Sequence, residues 1–164
     1  MRLVRSDASD AMLSLQEISD RLEIQQLMTD YASAIDRRDF EALDRVFTPD
    51  AHIDYRAMGG IHGDYPKIKS WLAQTLQWFP AYYHMLGNLS IVFDGDRATT
   101  RCICFNPMRM PLPGLPQPQT VFFGLWYIDE LLRTPDGWRI TRRSEEKCFD
   151  FNLPAQFAGM AGPP

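Results

Sequence analysis

Apolar residues recur at spacings of three and four through the first quarter of the chain, a pattern typical of one face of an α-helix. The predicted helix covers about 15–37, and its apolar stripe comprises Leu15, Ile18, Leu22, Ile24, Leu27, Met28, Tyr31 and Ile35. Shorter helical patterns follow at 40–47 and 66–79, after aspartates that can cap a helix N-terminus. Between them, alternation at 51–56 predicts a half-buried strand, and 61–63 predicts a short return strand.

The second half of the chain is dominated by strand patterns rich in aromatic and β-branched residues. Four strands are predicted there, at 82–93, 98–106, 120–132 and 138–149. Two connections carry hairpin signals, and the third is a proline-rich loop over 106–119. Helices followed by an antiparallel meander favour an α+β fold. We expect a cone-shaped, curved antiparallel or mixed sheet wrapped around the long N-terminal helix and two shorter helices, with a ligand cavity inside the cone.

A chain of 164 residues suits a single domain with one core. The patterned region, 14–150, is the expected domain, and the polar segment 1–13 is expected to be flexible. The tail over 151–164 holds apolar residues but too much Gly and Pro for a regular element. This tail and the loop over 106–119 are therefore both candidates for a lid over the mouth of the cavity.

Composition and charge argue against several classes of function. The chain has 17 Lys and Arg residues against 21 Asp and Glu, a net charge of −4, and no basic run, so we expect no nucleic-acid partner. No stretch of about 18 apolar residues is present, and the N-terminal segment lacks an apolar core, so we expect no membrane partner and a cytoplasmic protein. The three cysteines form no C-x-x-C motif and the histidines lack metal-ligand spacing, so we expect no metal and no cofactor.

Several polar side chains occupy elements that otherwise build a core. Tyr31 and Asp36 end the long helix. His84 lies in a strand pattern of aromatic residues, and Arg143 lies on the last strand. Burying such groups alone is costly, so they need mutual bonds or a polar pocket. A His with an Asp is a common pair for proton transfer near neutral pH, but a satisfied core histidine and an Asp36 paired with a neighbouring arginine are also open interpretations.

Five short segments carry a family resemblance: Tyr31–Phe40, Phe47–Ala51, Ile61–Gly63, His84–Asn88 and Asp136–Ile140. They resemble the SnoaL-like branch of the nuclear-transport-factor-2-like superfamily, and the resemblance covers roughly 14–150. The polar set is most similar to that of scytalone dehydratase, bile acid 7α-dehydratase and hexachlorocyclohexane dehydrochlorinase. In those enzymes a His-Asp dyad has its Asp on the first long helix and its His on the strand after the third helix, which are the places of Asp36 and His84.

The resemblance implies a catalytic role for each of these polar residues. His84 would be the general base, and Asp36 would orient it and stabilise its protonated form. Tyr31 would hydrogen-bond a substrate oxygen. Arg143, with Lys147 as a competing match, would stabilise developing negative charge at the cavity wall.

Four further residues are candidates for substrate contact: Tyr55, Asn106, Trp71 and Phe123. Tyr55 shares its predicted strand face with Ile53 and can present its hydroxyl as Tyr31 does. Asn106 stands near the place where the dehydratases carry an Asp on the strand before the long loop. Trp71 and Phe123 would supply apolar wall.

The implied function is a cofactor-independent lyase of the dehydratase type, or a closely related isomerase, acting on a cyclic apolar small molecule. The alternative is a non-catalytic small-molecule-binding or dimerisation module of the same fold, in which Asp36 and His84 are an ordinary buried pair. Both faces of the strand over 120–132 are apolar, so we expect a second copy to cover the outer face and form a homo-oligomer, a dimer or trimer.

Overall fold

Two α-helices pack on one face of a single sheet. The computed structural model describes residues 12–112 and 114–154. Helix α1 spans Leu15–Asp36 and starts where the Ser14 hydroxyl accepts a hydrogen bond from the Glu17 amide. Helix α2 spans Tyr65–Thr75, and short 3-10 helices cover Phe40–Arg45, Arg56–Met58 and Leu76–Trp78.

The sheet of the described residues has seven strands: β1 Phe47–Asp54, β2 His62–Asp64, β3 Ala81–Tyr82, β4 Met85–Asp94, β5 Arg97–Met110, β6 Gln119–Thr134 and β7 Gly137–Phe151. The hydrogen-bonded order is β2-β1-β7-β6-β5-β3, and β4 also pairs with β5. The β1–β7 pair is parallel and every other pair is antiparallel. This curved mixed sheet around α1 confirms the predicted cone-shaped α+β fold, with seven strands among the described residues where six were predicted.

The interruption between β3 and β4, beside β5, is the feature of the sheet that most affects the site. One continuous strand was predicted over 82–93, but β3 and β4 are separate, and both pair with β5. His84 therefore lies in the two-residue gap between them rather than inside a strand. Its neighbour Tyr83 makes one long backbone bond to β5, from its amide to the Pro107 carbonyl at 3.4 Å.

Two other boundaries differ from the prediction because pairing between distant segments overrides local signals. The predicted second helix ends at Arg45, and Phe47 begins β1, since Phe47 pairs with Ile140 of β7. Pro49 is tolerated because the β1–β7 register shifts between Phe47 and His52. The expected loop over 106–119 is shorter, because the β5–β6 ladder continues to the Met110–Gln119 pair.

The core begins partway along α1. Leu15, Ile18 and Leu22 were assigned to the buried stripe, but their side chains are exposed, and the buried residue of these turns is Asp20. From Ile24 onward the stripe is buried against the inner face of the sheet, where Trp138 is fully buried.

The ends of the chain lie largely outside the described residues. The predicted flexible segment 1–13 and the candidate lid over 151–164 are described only at residues 12–13 and 151–154. No helix in the described ranges is both long enough and apolar enough to cross a membrane.

Candidate active site

A cavity of about 290 Å³ lies between α1, α2 and the inner face of the sheet. Most of its wall is apolar, formed by residues such as Ile35, Trp71, Leu72, Phe79, Met108, Phe123 and Leu125. Its polar lining comprises Tyr31, Tyr55, Arg56, Thr75, His84, Asn106, Tyr127, Glu145 and Lys147. A mostly apolar cavity with a few convergent polar groups is the usual form of a small-molecule site.

Asp36 and His84 form the hydrogen-bonded pair that the sequence predicted. His84 Nδ1–H donates to Asp36 Oδ1 at 2.7 Å, and the His84 backbone amide donates to Asp36 Oδ2 at 3.0 Å. Because Nδ1 is engaged by the carboxylate, Nε2 carries the free lone pair. His84 lines the cavity, and its side chain is 9% exposed.

Aromatic rings fix the plane of the imidazole. The rings of Tyr31 and Tyr82 lie edge-on to His84, with centroids at 6.4 and 6.3 Å. Arg38, one of the arginines that could have paired with Asp36, instead donates to the Phe79 carbonyl and the Tyr82 hydroxyl. The Asp36 carboxylate is thus left to His84.

Tyr31 and Tyr55 present their hydroxyls to the cavity as a bonded pair, 2.9 Å apart. Burial raises the pKa of both phenols, so both remain protonated at neutral pH. One O–H is used within the pair, which leaves the other free to donate to a ligand oxygen.

Gly60 packs so closely that a Cβ there would lie 2.8 Å from Tyr55 Cβ, and the tight turn therefore depends on this glycine.

Arg143 lies behind the cavity wall rather than on it. Its Nε and Nη2 donate to Asp129 at 2.7 and 2.8 Å, and both side chains of this pair are fully buried. The guanidinium lies 4.0 Å from the Tyr31 ring centroid and 4.3 Å from that of Tyr127. The expected position at the cavity wall is wrong, because the cross-strand partner Asp129 holds Arg143 beneath the two tyrosines; Lys147 lines the cavity instead.

The three other predicted contact residues all line the cavity. Trp71 and Phe123 belong to its apolar wall. Asn106 is buried, and its Nδ2 donates to the Tyr83 carbonyl at 2.8 Å, so it fixes the segment that carries His84. The described residues hold no cluster of three or more His, Cys, Asp or Glu side chains suited to a metal ion.

Tyr127 and Glu145 are among the lining residues that were not predicted as site residues. They are cross-strand partners on β6 and β7. The alternation of the last strand, which places Glu145 on the same face as Arg143 and Lys147, was the available signal for one of them. Tyr127 follows Phe123 and Leu125 on the inner face of β6 and reads as ordinary core.

Comparison with known proteins identifies the family of this chain. The model of the SnoaL-like domain matches residues 16–144. "Uncharacterized protein Rv2910c" from Mycobacterium tuberculosis (strain ATCC 25618 / H37Rv) is 65% identical over 139 residues, covering 85% of this chain and 92% of its own.

Solved structures share the fold at lower identity. The Kfla4162 protein from Kribbella flavida has a TM-score of 0.74 at 25% identity, covering 82% of this chain and 95% of its own. Hexachlorocyclohexane dehydrochlorinase LinA-type3 from Novosphingobium barchaimii LL02 has a TM-score of 0.74 at 18% identity, with coverages of 86% and 94%. A putative scytalone dehydratase from Novosphingobium aromaticivorans DSM 12444 has a TM-score of 0.69 at 18% identity, with coverages of 83% and 89%. The chain belongs to the SnoaL-like domain family.

Proposed function

We propose that this protein is a cofactor-independent lyase of the dehydratase type, or a closely related isomerase, acting on a cyclic apolar small molecule. The observation that carries the proposal is the His84–Asp36 pair on the wall of an apolar cavity, with the Tyr31–Tyr55 hydroxyls beside it. A volume of about 290 Å³ suits a compact ligand of about two fused rings.

Each side chain has a task in this chemistry. His84 Nε2 removes a proton from a carbon next to a carbonyl, and Asp36 stabilises the imidazolium that results. The free hydroxyl of the Tyr31–Tyr55 pair donates to the carbonyl oxygen as negative charge develops there. The electron pair then expels a group from the next carbon, which is elimination, or returns with a proton at another carbon, which is isomerisation.

The fold comparisons support the reaction class in a general way. Two solved structures of the same fold are named as a dehydrochlorinase and a putative dehydratase. Both names denote an elimination reaction. At 18% identity the shared property is the fold, and the chemistry proposed for this chain rests on its own cavity residues.

The first test is turnover of 3-hydroxy-1-tetralone, a bicyclic β-hydroxy ketone whose dehydration gives fluorescent 1-naphthol. We expect the wild type to accelerate the reaction and His84→Ala to lose about 100- to 10,000-fold of that rate, because the general base is gone. His62→Ala is the matched control, since His62 is an exposed histidine outside the cavity. A His84→Ala variant with wild-type turnover, or a wild type that binds such ketones without converting them, would favour the non-catalytic binding module instead.

A further inference from the structure

A second titratable group, on another wall of the cavity, has no role in the proton abstraction. Glu145 lies on β7 opposite Tyr127 of β6, and both residues line the cavity. Tyr127 packs edge-on against Tyr31 at 5.5 Å between centroids, and Tyr31 packs in turn against His84. Two tyrosine rings, Tyr127 and Tyr31, therefore lie between Glu145 and His84 along the cavity lining.

The Glu145 carboxyl has few hydrogen-bond partners or opposite charges that would stabilise it as an anion. Its Oε2 is buried and has no hydrogen-bond partner among the described residues. Arg143, two residues earlier on the same strand, places two guanidinium nitrogens on Asp129, and its buried Nη1 has no hydrogen-bond partner among the described residues. Lys147, two residues later, is paired with Asp150. Glu145 belongs to the cavity lining, so a ligand is a partner that its carboxyl can gain.

The surroundings favour the neutral acid. The titratable and charged groups around Glu145 come from α1, the end of β1, β5, β6 and β7: Tyr31, Asp54, Tyr55, Cys104, Tyr127 and Arg143. Burial raises the pKa of the Glu145 carboxyl well above its ordinary range. Arg143 opposes that rise and Asp54 adds to it. A neutral carboxylic acid has one O–H to donate, whereas a carboxylate has none.

We propose that Glu145 is the catalytic acid of this site, which gives its proton to the departing oxygen of the substrate, so that the leaving group is a hydroxyl rather than a halide. This inference rests on the proposed lyase function and narrows it. Chloride leaves as a stable anion without a proton, but hydroxide is a poor leaving group and needs protonation as the C–O bond breaks. A site built only for halide loss has no use for a proton donor here.

The step balances without any further reagent. His84 Nε2 takes the proton from the α-carbon, the electron pair forms the C=C bond, and the C–O bond to the β-carbon breaks. The Glu145 proton moves to the departing oxygen, which leaves as water. The enzyme is left with His84 as imidazolium and Glu145 as carboxylate, and transfer of one proton from the former to the latter, through solvent after product release, restores both.

Leaving-group dependence tests the proposal. Glu145→Gln keeps the shape and a hydrogen-bond donor but has no transferable proton. We expect it to lose about 100-fold or more of the turnover of 3-hydroxy-1-tetralone, while turnover of 3-chloro-1-tetralone, corrected for the rate without protein, stays near wild type. Glu146→Gln is the control, because this next residue is exposed and pairs with Arg101 outside the cavity. Equal loss on both ketones, or loss on neither, would overturn the proposal.

The same experiment separates this proposal from the one on which it rests. His84→Ala should lose both ketones, since both reactions begin with proton abstraction. A wild type that is inactive on both ketones would speak against the lyase function. In that case the protonation state of Glu145, measured separately, tests whether this residue can act as an acid. Carbon-13 NMR of the glutamate carboxyl carbons, assigned with Glu145→Gln, should show this group protonated at pH 7. A carboxylate signal at pH 7 would overturn the assignment of the acid whatever the turnover.

Discussion

At the scale of single residues, one carboxylate holds His84 at two points. Asp36 accepts from both the imidazole and the backbone amide of His84, and such charge-assisted bonds are each worth about 1.5–3 kcal/mol. The backbone bond is important because His84 lies in a gap between strands and has no ladder to position it. Asp36 therefore sets both the place and the tautomer of the base.

Arg143 is the second residue whose surroundings give a sharp prediction. Replacing it with Met leaves the Asp129 carboxylate fully buried and unpaired, so we expect a loss of about 3–5 kcal/mol in the free energy of unfolding, measured by urea titration. The double variant Arg143→Met/Asp129→Leu should recover most of that loss, because both buried charges are then gone.

The control for this pair is Arg101→Met. Arg101 pairs with Glu146 on the exposed face of the same sheet and should change stability little. An Arg143→Met variant as stable as the wild type would show that the ion pair is not part of the support for Tyr31 and Tyr127.

The pairing of His84 with Asp36 was predictable from the sequence. How deeply each polar side chain is buried was not. A His and an Asp on apolar elements need each other or a pocket, and the structure joins them. Alternation put Arg143 on the face opposite Trp138 and Ile140, but all three are buried, because the β6–β7 register shifts between Glu130 and Leu131. It could not show that Asp129, fourteen residues earlier in sequence, would hold the guanidinium below the cavity floor.

At the scale of elements, Asp20 is the buried polar residue that joins α1 to the β6–β7 hairpin. Asp20 of α1 accepts from both terminal nitrogens of Arg133, at 2.5 and 2.6 Å, and from Trp138 Nε1 at 3.1 Å. The hydrogen bond from Arg133 is the main reason that the pKa of Asp20 falls to about 2, below its ordinary 3.8. This contact positions the helix whose other end carries the site.

The lowered pKa gives a pH prediction of definite sign. The stabilisation by Asp20 should be fully present above about pH 4 and should be lost as the pH falls towards 2, since the folded state then binds a proton less readily than the unfolded state. Asp20→Asn should lose about 2–4 kcal/mol at pH 7, and less at pH 2.5, in urea unfolding. Asp30→Asn, on the same helix but bonded only to Gln26, is the control. A loss that is the same at both pH values would contradict the assignment.

The prediction of element boundaries was wrong where strand pairing between segments distant in sequence decides them. The gap between β3 and β4 depends on β5 alignment and on Asp36, which are far away in sequence. Likewise, Phe47 continues a helical pattern locally but pairs with β7 instead. The long helix and the strands of the second half were predictable because their periodicity is strong over many residues.

At the scale of the whole molecule, order of elements was enough to predict the cone and its cavity. Helices followed by long antiparallel strands leave few alternatives, since the sheet must cover the apolar face of α1. The volume of the cavity and its polar residues required the structure. The expected homo-oligomer remains a prediction.

The outer face of the sheet is where that oligomer should form. Phe105 and Phe122 stack there at 5.8 Å, and Phe122 contacts the exposed Phe151 at 6.1 Å. We expect sedimentation velocity at micromolar concentration to show a dimer or trimer, and Phe122→Lys to dissociate it by placing a charge in the contact. Leu22→Lys, an equally drastic change at an exposed position on α1, should leave assembly unchanged. A monomeric wild type at that concentration would contradict this.

The central claim is that His84 removes a proton from a ligand carbon inside the cavity. Its most direct test uses 1-tetralone, which has acidic protons beside its carbonyl but no leaving group, in D2O with NMR detection. The account predicts that the wild type exchanges these protons for deuterium well above the buffer rate, and that His84→Ala, while still binding the ketone, exchanges at the buffer rate. A His84→Ala variant that exchanges as fast as the wild type, or a wild type that binds the ketone without exchange, would contradict it.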